Sequence, residues 1–285
     1  MPLKILGDIF NLFLLQPIIN LVVVILYSLQ SIHISGAVGF SIIILTLIIS
    51  LVTWPFRTKQ IKNAKLLSEK MAQLKPQISE LKARYKDDKL KFNQAQSELM
   101  KEHGVNPAAG CLPSLIPILL IIPLYQVIFT FFSGEEGLEK INYFLYPAIA
   151  HLKTLPDLHF FGLNLATKPS EFGSVGLLVL IVPLITALFT LVQSLMMSPK
   201  KMNVYKTDSV REVKQKEENQ DMQAAMQQQM TFMMPLMIGF AAFQFPIGLA
   251  LYWNTLTILG IIQQYMITGW AGLPDFASKL GFKKT

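Results

Sequence analysis

Thr46, Ser50 and Thr53 recur at spacings of four and three residues in a stretch without Lys, Arg, Asp or Glu, and Arg57 continues the row four residues on. Thr186, Thr190 and Gln193 repeat the pattern. Gln126 and Thr130 share one helical face, Asn254, Thr257 and Gln264 share another, and Gln244 adds one more amide. Helical periodicity places each set on one side of its helix. Hydroxyls and amides of this kind offer hydrogen bonds rather than bond cleavage. An amide in hydrocarbon is costly without a partner. Two arrangements supply one: a hydrated groove shared by several helices, or polar glue between helices. Ser and Thr have a third, because their hydroxyls can bond the carbonyl one turn back.

Other chemistry finds few residues to carry it. The single cysteine, Cys111, forms no internal disulfide. His33, His103, His151 and His159 stand at no metal-ligand spacing, and neither a Gly-rich phosphate loop nor HExxH occurs. The sequence is read as that of a non-enzyme needing no cofactor and no metal. No carboxylate lies within an apolar segment, which argues against proton- or sodium-coupled transport. A passive pore stays open as a reading.

The elements that must position these side chains are membrane spans. The 285-residue chain is 52% hydrophobic and only 15% charged, against about 25% charged in soluble domains. Uncharged runs of 18 or more residues match a hydrocarbon layer about 30 Å thick. Five segments read as core spans: 38–56, 111–132, 173–197, 231–245 and 248–268. The last two are joined by Pro246-Ile247 alone, which predicts a tight antiparallel pair. An earlier apolar stretch, 11–29, has three readings: a sixth span, a helix on the outer surface, or a signal peptide. Segment 57–110 holds 12 Lys/Arg against 6 Asp/Glu, whereas 133–172 holds 3 against 5. Basic segments stay inside. That places 57–110, the loop 198–230 and the C-terminus in the cytoplasm, and 133–172 outside.

Apolar residues at Ile61, Ala64, Leu67, Met71, Leu74, Ile78, Leu81 and Tyr85 give the basic segment one narrow seam. Asp87-Asp88 predicts a turn, and Phe92, Ala95 and Leu99 predict a second helix ending near Gly104. Pro76 is expected to bend the first. The expected fold class is an all-α integral membrane protein, with five core transmembrane helices and a cytoplasmic antiparallel helical hairpin. Its divisions are an N-terminal apolar or interfacial helix (1–37), a first core span (38–56), the basic hairpin (57–110), four further spans with their loops (111–268) and a short tail (269–285). The Lys/Arg residues of the arm have two compatible readings: a solvated face with inside-positive anchoring, or contact with anionic lipid or an RNA-rich partner such as a ribosome.

Three stretches carry a resemblance. Asn106-Pro107-Ala108-Ala109-Gly110-Cys111-Leu112-Pro113, Phe245-Pro246-Ile247-Gly248-Leu249-Ala250-Leu251-Tyr252-Trp253, and Gly39-Phe40-Ser41-Ile42-Ile43-Ile44 are similar to motifs of the YidC/Oxa1/Alb3 family of membrane protein insertases. The resemblance covers roughly 38–268. It implies an insertase that works without covalent chemistry, with the polar faces above lining a groove. Tyr252 and Trp253 match aromatic residues thought to meet the client, and as a structural alternative they suit an interfacial anchor. The implied partners are nascent membrane proteins and the lipid bilayer, with a ribosome met through the basic hairpin and tail, and a translocon in some settings. The expected state is a monomer in a prokaryotic plasma membrane. Relatives usually carry an arginine five residues before the proline that Pro55 matches; here that position is Ser50. A passive channel or small-solute transporter, and a membrane chaperone or scaffold, are the rival functions.

Overall fold

The computed structural model describes residues 7–86, 88–104, 115–197, 231–270 and 273. Helix α1 runs Gly7–Ser31, with a π turn at Asn11–Leu15 and regular α-helix over Gln16–Ser31. Pro17 follows the π turn directly, inside the continuous helix, where it removes one helical hydrogen bond. Helix α2 is Ala37–Arg84, 48 residues, about 72 Å at 1.5 Å per residue. Then come α3 (Lys89–Glu102), α4 (Leu115–Phe132) and α5 (Gly134–Phe144). Strands β1 (His159–Phe160) and β2 (Leu163–Asn164) form an antiparallel pair. Helices α6 (Leu177–Met197) and α7 (Thr231–Gln244) and α8 (Ile247–Thr268) complete the order.

This order corrects the expected class of five core spans with a cytoplasmic antiparallel helical hairpin. Among the described residues three helices are long and apolar enough to cross a membrane: Gly7–Ser31, Ala37–Leu74 and Leu177–Met197. The first of them is the stretch with three open readings. The 22-residue α8 is long enough, but Asn254, Gln263 and Gln264 dilute its apolar character. Helix α7 belongs with the shorter apolar helices of 10–17 residues. The antiparallel hairpin in the structure is the two-residue strand pair β1–β2, in a segment expected to be loop, within a membrane protein that is all-α as expected. No break in the helix marks the expected end of the first span, although the two units described below divide close to it, at Trp54 and Pro55. Helix α2 continues through both Pro55 and Pro76. Asn106–Pro113, the loop 198–230 and most of the tail lie outside the described residues.

The chain divides into two units. One comprises Met1–Trp54, Leu115–Thr190 and Pro235–Gly260. Its core joins Val23 and Leu26 of α1, Ile42 and Leu45 of α2, Val127 and Phe131 of α4, Ile141 of α5, and Leu249 and Tyr252 of α8. The β hairpin contributes Phe160, whose ring lies where a Cβ on Gly39 would be and meets the Phe40 ring edge-on at 5.1 Å. Phe161 (φ 47°) and Gly162 (φ 79°) form its turn. Two left-handed residues in succession are what a two-residue hairpin loop needs.

The other unit comprises Pro55–Ser114, Leu191–Met234 and Ile261–Thr285. Leu74 and Ile78 of α2 are buried there, with Leu67, Met71, Phe92, Leu99 and Met100 packed on them. Asp88 caps α3 by accepting a hydrogen bond from the Lys91 backbone N–H at 3.0 Å. That bond, and then the Lys91 ammonium, hold its carboxyl below the usual range. A depressed folded pKa means the cap is fully present above the ordinary Asp value and is lost as pH falls through the lowered one. Hydrogen exchange at the first turn of α3 should therefore speed up, relative to its intrinsic rate, only in acid below the ordinary Asp range. Asp88→Asn should remove that pH dependence. An unchanged acid profile in the variant would refute the cap's role.

Candidate functional site

In α2 the three expected polar residues behave differently. Thr46 is fully buried, and its hydroxyl donates to the Ile42 carbonyl at 2.6 Å. Thr53 is half-buried and donates to Ile49 O at 2.8 Å. Ser50, 3% exposed, lies between them with its Oγ buried and without a hydrogen-bond partner. The α-helix explains the first two: a hydroxyl one turn on reaches the carbonyl below it. Ser50 has the same option by sequence and does not use it.

The other helices repeat the split between hydroxyls and amides. Thr186 and Thr190 of α6 are buried and donate to Val182 O (2.9 Å) and Thr186 O (2.7 Å). Thr130 of α4 donates to Gln126 O at 2.5 Å, while Gln126 itself is exposed, as is Gln244 of α7. In α8 Tyr252 is fully buried and belongs to the apolar core, Thr257 is buried, and Trp253 and Asn254 are half-buried. The Asn254 Oδ1 atom is buried and has no hydrogen-bond partner. The unit thus holds two orphaned polar atoms of the expected set, Ser50 Oγ and Asn254 Oδ1. Buried polar atoms are normally paired, so each is a point where a hydrogen-bonding visitor would be favoured.

Arg57, Gln193 and Gln264 belong to the second unit. Arg57 and Gln193 are half-buried. Gln264 is buried and donates to Thr268 Oγ1 at 3.2 Å, and Thr268 returns a bond to Gln264 O at 3.0 Å. Two interactions there were not singled out by spacing. Gln263, 1% exposed, donates from Nε2 to Thr58 Oγ1 at 2.9 Å, and Ser194 donates to Thr231 O at 3.0 Å. Both are helix-to-helix bonds, the glue reading rather than the groove reading. The signal for Gln263 was available: an amide beside Gln264 in an apolar helix must find a partner.

Charge is confined to the flanks. No Lys, Arg, His, Asp or Glu occurs in α4, α6, α7 or α8. On the β1 side of the first unit, Asp157 accepts from the His159 backbone N–H at 3.0 Å and meets the His159 ring at 2.7 Å. These bonds, the backbone one first, lower its pKa. Among the described residues no group of His, Cys, Asp and Glu is arranged to hold a metal.

Span-length apolar helices bearing neutral polar groups define a multi-pass membrane protein. A family model described as "60Kd inner membrane protein" matches residues 30–271. The chain belongs to that family, the one of the YidC/Oxa1/Alb3 insertases. It is 29% identical over 258 residues to "ALBINO3-like protein 1, chloroplastic" of Arabidopsis thaliana, covering 88% of this chain and 47% of the relative. It is 33% identical over 238 residues to "Membrane protein insertase YidC" of Rickettsia felis, covering 81% and 35%. The protein of that name from Rickettsia akari is 32% identical over 236 residues, with the same coverage. The chain therefore spans less than half the length of these relatives.

Proposed function

We propose that this protein is a membrane protein insertase that assists client transmembrane helices into the bilayer without covalent chemistry. The reading is carried by the buried Ser50 Oγ and Asn254 Oδ1, orphaned within the apolar helices of a chain from this family. Polar client segments would rest on such groups, and on Thr53, Gln126, Thr130 and Gln244 toward more open surface, while the apolar helix moves into lipid. A polar halfway point shortens the distance over which peptide groups lack partners. Trp253, half-buried, would shape the client-facing wall, while Tyr252 belongs to the core that supports α8. The exposed lysines between Lys59 and Lys101 suit anionic lipid or ribosomal RNA. A monomer of a bacterial inner membrane with a cytoplasmic C-terminus, working alone or beside a translocon, completes the proposal.

Reconstituted protein should raise insertion of a small one- or two-span client several-fold over protein-free liposomes, read by protease protection. Equal insertion in both would sink the proposal. Client-independent solute flux would favour the channel reading instead.

A further inference from the structure

We infer that the turn between α1 and α2, together with the β hairpin, forms a binding site for the ammonium group of a zwitterionic phospholipid such as phosphatidylethanolamine. The inference is independent of the insertase reading. A cavity of about 620 Å³ opens there, and His33, Phe40, Asp157, His159, Phe160 and Phe161 are among the residues that line it. Its chemistry favours a cation. None of its lining residues is Lys or Arg, although Lys140, Lys153 and Lys168 occur in the same 133–172 loop. The His159 bonds hold the Asp157 carboxyl below the usual range, so it is ionised. Both bonds end on Oδ1, which leaves Oδ2 for a ligand. Three phenyl rings line the same cavity. Phe160 meets Phe40 at 5.1 Å and 85°, and Phe161 at 4.6 Å and 73°. Phe40 and Phe161 stand 6.4 Å apart at 67°. Planes so near to perpendicular make an aromatic corner, where an ammonium can meet ring faces. The backbone points the same way. Among the described residues, the non-glycine positions with positive φ are His33 (56°) and Phe161 (47°), and both line this cavity. Strain of this kind collects at ligand clamps, and Phe161, 83% exposed, gains little packing in return. Position identifies the source of the ammonium. Helix α2 is apolar and span-length from Ala37 onward, so the turn just before it lies where hydrocarbon gives way to headgroups.

The test places the full-length protein in micelles with equal amounts of phosphatidylethanolamine and phosphatidylglycerol of identical acyl chains. Bound lipid is counted by native mass spectrometry at about pH 8, where imidazole is neutral. Wild-type protein should retain the amine lipid about tenfold more often, the effect of a carboxylate contact and a cation–π contact combined. Asp157→Asn keeps an acceptor for the His159 N–H and removes the charge. Phe161→Leu keeps apolar surface and removes the ring. Each should cut the preference to about threefold. Glu171→Gln changes an exposed carboxylate of the same loop that does not line the cavity, and should leave the preference as it was. The ratio is read within each protein, so a variant with less folded material still reports. Equal retention of the two lipids by the wild type would overturn the inference. A preference that survives both Asp157→Asn and Phe161→Leu would overturn it as well. Free ethanolamine at the concentration of the lipid should displace none of it. Displacement there would overturn the lipid assignment and make this a site for a soluble amine. No arm reads insertion, so failure leaves the insertase reading standing.

Discussion

Gly137→Ala is expected to destabilise the protein by about 3 kcal/mol or more, the upper end of what overpacking costs. A Cβ at this position would fall on the backbone carbonyl of Thr130, with the Ser133 Cβ at 3.2 Å on another side. Gly137 lies in the first turn of α5, and Thr130 in the last turn of α4. Ser133 N–H already donates to the same Thr130 carbonyl at 3.2 Å, so that oxygen cannot swing away without loss. The contrast with Gly39 decides the ranking. There the obstructing group is the Phe160 ring, a side chain that can rotate. At Gly137 the obstruction is main chain, and relief requires moving one helix off the other. Equilibrium unfolding in mixed micelles should register the loss. Gly173→Ala, where nothing lies within 4 Å, should stay within about 0.5 kcal/mol of wild type. Gly137→Ala falling in that same range would refute the packing account.

The parts legible in the sequence are those written in periodicity. Helices over 115–132, 177–197 and 247–268 follow from uncharged apolar runs, with ends within a few residues of those expected. The four-three spacing of Thr46, Ser50 and Thr53 predicts one shared face, of which Thr46 and Ser50 are buried and Thr53 half-buried. Periodicity does not say where a polar atom will find its partner. Thr46 and Thr190 turned to their own helices, Gln263 to Thr58, and Ser50 to none. The apolar seam puts Pro76 inside a helix, but nothing in it says that the same helix also runs through Pro55. A proline costs one helical hydrogen bond and crowds the turn before it, and only packing decides whether the helix bends, stops or continues. The β hairpin was hidden for another reason. Its strands have two residues each, too short for any alternation to appear, and its turn places Phe161 in a left-handed conformation that Phe seldom adopts.

Asn20→Leu should be comparably damaging, for a reason of hydrogen bonding rather than volume. Asn20 is 3% exposed in the middle of α1. Its Nδ2 donates to Gln16 O at 2.7 Å and to Phe144 O at 2.8 Å, and its Oδ1 accepts from the Tyr146 N–H at 2.7 Å. One side chain thus ties α1 to the chain leaving α5, where Leu145 is buried beside it in the apolar core. Two estimates of its worth compete. Side-chain hydrogen bonds between membrane helices average about 0.6 kcal/mol, because the separated helices find other partners. An orphaned buried backbone group costs about 1–3 kcal/mol. The second figure governs here. Phe144 O and Tyr146 N–H flank the end of α5, where no helical partner follows, and leucine would seal them from water. The loss should reach about 3 kcal/mol for the two groups together, with faster proteolysis of 145–158. Asn20→Ala, leaving room for water, should cost less than Asn20→Leu despite the smaller side chain. A larger loss for alanine would mean that α1 is held by its apolar packing and that the amide clamp adds little.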